Sequence, residues 1–411
     1  MKILHINGTH EGGAADYVYK LHNDLLRKKI KSYLYIPKKK FKKNIFYPPG
    51  IFNQIIFYIK NLLIRKYFKY FLKDHETNSA ALFYSNYLNA IIQKINPDLI
   101  NLHWIGNETI SIKQINKIKK PIIWTIHDMW IFGGSRHYIL PQEYFRNYNK
   151  NFAPIQKNIF DLNYFTWKNK KNNLNFNINL VCSSKWLLEC AKKSIITKNK
   201  SLVEISPGFN FKMWKSYSKN QARKILKIKK NEKVILFIAA KIFEKRKGFD
   251  VFYESLKRIK GQKYTILVVG NIGNHDFINT THHRFIFYKY EKSHLNKILY
   301  YSSSDLLAAT SIVEAFGQVI CEAAACKTPS IVMNNTGCAS IIEHKRNGYI
   351  AENKEKLDNG IKWIFSRTKK QKKLIDQYSR KFAIRNYNQQ LITKKYIDLY
   401  KDIIKKEMNK K

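Results

Sequence analysis

Short apolar runs that open after a proline or a polar turn, and then give way to a helical pattern, recur along this chain. That alternation restricts the possible folds more than any other feature. Ile3, Leu4 and Ile6 form the first run, Gly12 and Gly13 follow, and Tyr17 to Lys29 carries Val18, Leu21 and Leu25 at helical spacing. Ser32 to Ile36 is a second strand candidate. Pro97 to His103 and Pro121 to His127 are two more, each opening after a proline and closing on a histidine. Asn179 to Ser184 is another, with a serine placed to cap a helix starting near Lys185. The pattern restarts after Pro207-Gly208, with strand candidates at Val234–Ala239, Tyr264–Val269, Asp305–Ala308 and Ser330–Met333. A helix is expected over Gly248 to Ile259, and another, containing Glu322, between the last two strands. Strands alternating with helices require parallel sheets covered by helices on both faces, and the restart predicts two such domains.

A chain of 411 residues supplies two to three domains at about 150 residues each. Its 45% hydrophobic and 14% aromatic content excludes a disordered or fibrous class. Charge is the outlier: 75 Lys+Arg against 29 Asp+Glu give +46, which attracts nucleic acid, anionic membrane or phosphate-bearing ligands. Because the lysines are spread along the chain, part of that excess decorates solvated faces. The five cysteines, Cys182, Cys190, Cys321, Cys326 and Cys338, show no CxxC spacing, so neither a disulfide framework nor a zinc ribbon is expected. The first residues are too polar for a signal peptide, and no long uncharged apolar stretch occurs. A cytoplasmic protein is expected, peripheral on the inner membrane face if it meets a membrane at all.

The segment 51–72 stands out. Ile51, Phe52, Ile55, Ile56, Ile59, Leu62 and Leu63 fall near one helical face, with Lys60, Arg65, Lys66 and Lys69 basic and aromatic residues interleaved. Two readings compete: a helix lying in an anionic bilayer interface, or a helix covering the first sheet. From Arg367 onward the chain reads as lysine-rich surface helix rather than a nucleic-acid arm.

The stretch Ser311 to Pro329 carries the most chemistry. It leaves a strand, passes Gly317, and becomes a helix of small and apolar residues, with Glu314 and Glu322 eight positions apart. A helix starting there presents backbone N–H groups near Phe316, Gly317 and Gln318 to an anion, aided by the helix dipole. Carboxylates only accept, so the two glutamates suit sugar hydroxyls on either side of a diphosphate rather than the phosphates themselves. Two glutamates at this spacing more often mark a solvated helix face; the apolar Ala323-Ala324-Ala325 context and a second motif argue otherwise. That motif is Ala239-Ala240-Lys241 at a strand end, followed by Arg246-Lys247-Gly248-Phe249-Asp250 opening a helix. Lys241 and Lys247 sit where parallel sheets bind ligands and suit a diphosphate.

These residues resemble the retaining nucleotide-sugar glycosyltransferases of family 4, which have the GT-B architecture. The family's E-x7-E frame is matched by Glu314-Ala315-Phe316-Gly317 through Glu322-Ala323-Ala324-Ala325-Cys326-Lys327-Thr328-Pro329, with Lys327 in place of the usual glycine. Its G-R-x5-K-G motif is matched by Ala240-Lys241 and Lys247-Gly248. Glu11-Gly12-Gly13-Ala14-Ala15 looks like the family's glycine loop, and Ser206-Pro207-Gly208 like the linker between its domains. His103-Trp104 and Trp124 to Trp130 resemble a subgroup from surface-polysaccharide synthesis; Gly133 to Tyr138 lacks that subgroup's cysteine, so no metal is expected there.

The resemblance implies an α/β fold of GT-B type, two Rossmann-like domains facing each other across a cleft. The expected divisions are an acceptor-side domain over 1–207, a nucleotide-sugar donor domain over 208–384, and a terminal helix over 385–411 crossing back to the first. It implies a retaining, metal-independent hexosyltransferase with no cofactor, the nucleoside diphosphate sugar being a co-substrate. Glu314, His127 and Lys247 are the implied catalytic residues. Gly12, Gly13, Lys241, Lys247, Glu314, Phe316, Gly317, Gln318 and Glu322 are the implied donor-binding set. The implied acceptor is a saccharide, expected to be lipid-linked, in surface polysaccharide or lipopolysaccharide synthesis, with an anionic membrane met through 51–72. Asp128 would orient His127 or pair with Arg136, or equally make a structural hydrogen bond, since adjacent side chains on a strand point to opposite faces; the His282-His283 pair is read as a solvated loop. Two competing functions remain at this level. One is a polyanion-binding protein, against which no nucleic-acid motif appears. The other is a GT-B enzyme of different chemistry, such as nucleotide-sugar epimerisation; phosphorolysis would need a lysine suited to a pyridoxal cofactor, and none is identified.

Overall fold

A computed structural model describes residues 1–37, 44–71, 77–141, 148–174, 176–273, 277–291 and 293–409. The chain divides into two compact units, Met1–Gly208 with Gln390–Lys411, and Phe209–Gln389. In the first, strands β1 (Lys2–Ile6), β2 (Lys31–Tyr35), β3 (Ile45–Phe46), β4 (Leu99–Leu102), β5 (Ile122–Ile126), β6 (Asn179–Cys182) and β7 (Ser201–Glu204) form one sheet. Their order is β3-β2-β1-β4-β5-β6-β7, and every pair is parallel. Parallel neighbours need a crossover, so helices cover the faces. The helix Gly13–Arg27 buries Tyr17, Val18, Leu21 and Leu25. The order runs outward both ways from β1, which puts the topological switch between β1 and β4.

The second unit repeats this plan with β8 (Val234–Lys241), β9 (Thr265–Asn271), β10 (Arg284–Tyr288), β11 (Leu306–Ala309), β12 (Ser330–Met333) and β13 (Gly348–Ala351). The order is β10-β9-β8-β11-β12-β13, again all parallel, with the switch between β8 and β11. Two apolar layers sandwich this sheet. One contains Phe237, Phe249, Phe252 and Ile361; the other contains Leu236, Leu267, Ile320, Ala323 and Tyr301.

The last helix, Gln389–Met408, belongs to the first unit. Ile392, Tyr396, Tyr400 and Ile403 recur at helical spacing and join Ile3, Leu99, Ile123 and Val181 in one core. The chain returns to this unit at Gln390 rather than 385, because the preceding helix runs unbroken to Tyr387.

The helix Gly50–Phe71 is not packed as a cover on the first sheet. Ile51, Phe52, Ile55, Ile56, Ile59, Leu62 and Leu63 are all exposed, Phe52 by 78%. The buried contacts are made instead by Ile64 and Phe68, against Ala80, with Phe83 and Leu162 partly buried beside them. Leu72, the last residue of the expected segment, lies outside the described residues. Among the described residues no helix is long and apolar enough to cross a membrane.

One buried cation fixes the turn that follows β5. Lys170 is fully buried; its Nζ donates to the carbonyls of Trp130 and, at 2.6 Å, Gly134, and sits 4.0 Å from the centre of the Trp130 ring. Burial holds the ammonium well below the usual lysine pKa. Lys170→Met keeps the stem but leaves both carbonyls unpaired. It is expected to cost about 1–3 kcal/mol, read as a fall in Tm of about 2–10 °C; an unchanged Tm would remove Lys170 from this role.

Candidate active site

In the second unit the candidate side chains come from the carboxyl ends of β8 and β11, which are neighbours across the switch, where open α/β sheets bind ligands. After β8 the chain makes a single 3-10 turn, Lys245–Lys247, and reaches Gly248 at φ +69°. A Cβ on Gly248 would lie 2.1 Å from the Thr310 carbonyl oxygen, so the turn can seat on the loop after β11 only with glycine there. Thr310 Oγ1 donates to the Gly248 carbonyl (2.8 Å) and the Ile312 amide to the Arg246 carbonyl (2.9 Å), clamping the two loops together.

This clamp brings Lys247 and Arg246 to Glu314. Lys247 Nζ and Arg246 Nη1 (3.1 Å) both donate to Glu314 Oε2, while Arg246 Nε donates to Glu244 at 2.6 Å. Burial alone would raise the Glu314 pKa, but the two cations outweigh it and hold the carboxyl at about 2. Lys247 was among the expected residues and Arg246 was not; its only sequence signal was its place beside Lys247. Two cations share Glu314, and Glu244 balances the second of them, so the four side chains form one closed ion-pair cluster.

Three residues on, Gly317 (φ +93°) starts the helix Gln318–Ala325 with no side-chain cap. Its Cβ would lie 2.7 Å from Cys338 Sγ, so this start also requires glycine. The amides of the first turn, at Gln318 and Val319, point away from the helix body and suit an anion. The Phe316 ring is buried edge-on against Tyr387 in the core, so it is the backbone at 316, not the ring, that can serve a ligand. Glu322 is buried one turn into the helix: Oε2 accepts from the Tyr301 hydroxyl at 2.7 Å and Oε1 faces Lys297 Nζ at 3.7 Å. Lys241 is exposed at the end of β8, its backbone paired with Asn271 beyond a register shift.

In the first unit, Gly12 (φ 90°) precedes the helix Gly13–Arg27 with open space around its Cβ position. His127 follows β5 and is half-buried. Its Nε2 lies 3.2 Å from His103 Nδ1, and His103 Nε2 lies 3.0 Å from His5 Nδ1. Burial pushes His127 down to about 4, against the pull of Asp128, so the ring is neutral near pH 7. Of the alternatives for Asp128, the structure shows the structural hydrogen bonds. Its carboxylate accepts from His137 Nδ1 (2.6 Å) and the Trp130 amide (2.9 Å), because successive residues here face opposite ways. The far nitrogen of His137 meets Ser79 Oγ at 2.9 Å. His283 is buried rather than solvated: its Nδ1 accepts from the Tyr264 amide (3.3 Å) and its Nε2 donates to the Leu256 carbonyl (3.2 Å). All five cysteines are buried and free, and no cluster of three or more metal-ligating side chains occurs among the described residues.

Residues 218–382 match the family model for glycosyl transferases group 1. The match lies in the second unit and includes the Lys247, Glu314 and Glu322 loops. An uncharacterized glycosyltransferase of Methanocaldococcus jannaschii is 24% identical over 188 residues, 44% of this chain and 47% of that relative. The chain thus spans about half the length of the curated relative it matches. Among solved structures, sucrose-phosphate synthase from Thermosynechococcus elongatus aligns with TM-score 0.72 and 15% identity over 98% of this chain and 99% of that one. Anabaena HepE in complex with UDP-glucose aligns with TM-score 0.66 and 15% identity over 98% and 100%. Each unit of this chain is therefore a Rossmann-like layer of parallel sheet and helices, and the fold is that of the GT-B glycosyltransferases.

The Glu314 ion pairs make a pH-dependent contribution to stability. The folded pKa lies below the unfolded value of 4.5, so stabilisation is present above pH 4.5 and is lost as pH falls toward about 2. The full difference amounts to about 3 kcal/mol. Carboxyl 13C NMR of wild type and Glu314→Gln is expected to identify one glutamate that remains ionised at pH 3; its absence would contradict the pairing.

Proposed function

We propose that this protein is a retaining glycosyltransferase that moves a hexose-type sugar from a nucleoside diphosphate donor to a saccharide acceptor carried on a lipid, in surface polysaccharide or lipopolysaccharide synthesis. One observation carries the reading: a carboxylate shared by Lys247 and Arg246 stands three residues before an uncapped helix start, at the carboxyl edge of a parallel sheet. UDP-glucose in the Anabaena neighbour supports a nucleoside diphosphate hexose as donor.

In this reading the diphosphate lies on the first-turn amides after Gly317, with Lys247 and Lys241 on its oxygens. Glu314 keeps lone pairs for hydroxyls of the transferred sugar, and Glu322 Oε1 accepts from the ribose. Gly12, Gly13 and His127 are assigned to sugar recognition on the resemblance alone. No metal or cofactor is assigned. As the sugar–phosphate bond breaks, Lys247 and Arg246 stabilise the charge that grows on the leaving oxygen, and that oxygen takes the acceptor's proton on the same face. Attack and departure on one face retain the anomeric configuration.

The exposed apolar side of the helix Gly50–Phe71 supports peripheral docking on the inner membrane face. Lys60, Arg65, Lys66 and Lys69 along it match anionic headgroups, while Phe52, Ile55, Ile56 and Ile59 would enter the acyl boundary.

Glu314→Gln and Lys247→Ala are each expected to lower transfer at least about tenfold with circular dichroism unchanged, from loss of a charged contact of about 1.5–3 kcal/mol. Full activity in either would reject its role. Thermal shift across nucleotide sugars identifies the donor as the compound that raises Tm. Flotation is expected to recover the protein with anionic vesicles, and recovery is expected to fall for Phe52→Glu/Ile56→Glu. Equal recovery with neutral vesicles would reject charge-assisted docking.

A further inference from the structure

The three histidines of the first unit form a continuous line through its interior. His5 lies on β1, His103 directly after β4 and His127 directly after β5, which are adjacent strands. His5 and His103 are fully buried. The contacts run in one sense: His5 Nδ1 to His103 Nε2, then His103 Nδ1 to His127 Nε2. A buried polar chain runs beside the line. Thr125 Oγ1 donates to Asn101 Oδ1 (3.0 Å) and Asn101 Nδ2 donates to the Tyr400 hydroxyl (2.7 Å). Tyr17 packs edge-on to His127, with ring centres 5.1 Å apart.

A neutral imidazole has one N–H and one bare nitrogen, so His103, engaged at both, must donate at one end and accept at the other. Only two arrangements satisfy the line. In the first, each ring carries its proton on Nδ1: His5 donates to His103, His103 donates to His127, and His127 keeps Nδ1–H for something else. In the second, each carries it on Nε2, and the last proton falls on His5 Nε2. That atom is buried and has no hydrogen-bond partner among the described residues. A buried N–H without an acceptor is rarer than a buried acceptor without a donor. Both arrangements leave His5 Nε2 unpaired, as a bare nitrogen in the first and as an N–H in the second, and the rarity of the orphaned N–H favours the first.

We infer that His5 and His103 are positioning residues that lock His127 as an Nδ1–H donor. His127 then offers a proton to its ligand, not a lone pair. The ligand atom it meets must be an acceptor, a hydroxyl or phosphoryl oxygen, and His127 does not act as a general base at Nδ1. The functional consequence rests on the glycosyltransferase reading; the tautomer itself does not.

The test is two-bond 1H–15N NMR of the full chain labelled with [15N]histidine, near pH 7.5 without ligand, with His5, His103 and His127 assigned by single substitution. Three neutral Nδ1–H patterns are expected; an Nε2–H or doubly protonated ring at His103 or His127 would overturn the inference. His5→Asn places an amide donor near Nδ1 and is expected to keep both remaining tautomers and the transfer rate within about twofold. His5→Leu removes the donor. Averaged nitrogen shifts at His103 and His127 are then expected, with kcat lowered about tenfold, the equivalent of one hydrogen bond, and donor KM little changed. If His127 stays Nδ1–H in His5→Leu, the line does not set its tautomer and the inference fails. Predicted tautomers without any sugar transfer would count against the enzyme assignment alone, whereas transfer by a His127 carrying Nε2–H would count against the line alone.

Discussion

Every strand pair in both sheets is parallel, and the rest follows from that constraint. A parallel partner cannot be reached by a hairpin, so each strand hands over to a loop and helix at its carboxyl end before the chain returns. The loops that can hold chemistry gather along one edge of each sheet. Where the order reverses, between β1 and β4 and between β8 and β11, two loops leave in opposite directions and a gap opens. Gly12 and His103 flank one such gap; Lys247 and Glu314 flank the other.

The two units handle buried polarity at those gaps in different ways. In the second, an ionised carboxylate is kept charged against burial by two cations from the neighbouring loop, which also ties that loop in place. In the first, burial keeps three imidazoles neutral, and hydrogen-bond direction replaces charge as the ordering device. The first arrangement is held by charge. The second is held by the direction of its hydrogen bonds.

Legibility in the sequence followed burial. Central strands such as Val234–Lys241 and Thr265–Asn271, enclosed on both faces, appear as unbroken apolar runs. The edges do not: Ser201–Glu204 and Arg284–Tyr288 are half-exposed, Ile45–Phe46 is two residues long, and Gly348–Ala351 opens on a glycine. The Glu314 and Lys247 loops stood out because each sets a glycine within three residues of its charged side chain, at Lys247-Gly248 and Glu314 to Gly317. His5, His103 and His137 were not, since their partners are set by strand order, which periodicity does not encode. The apolar stripe of 51–72 was visible, yet its burial was decided by Ile64 and Phe68, two residues off that stripe.

The seam formed by Ile392, Tyr396, Tyr400 and Ile403 has a consequence for biosynthesis. A ribosome delivers Ile3 and Leu99 early, but the helix that seals them emerges only after the whole second unit has been made. The second unit, continuous in sequence, can mature while the first still waits with one flank of its sheet unsealed. Part of the first unit's apolar core therefore stays uncovered until the tail that closes it has been made.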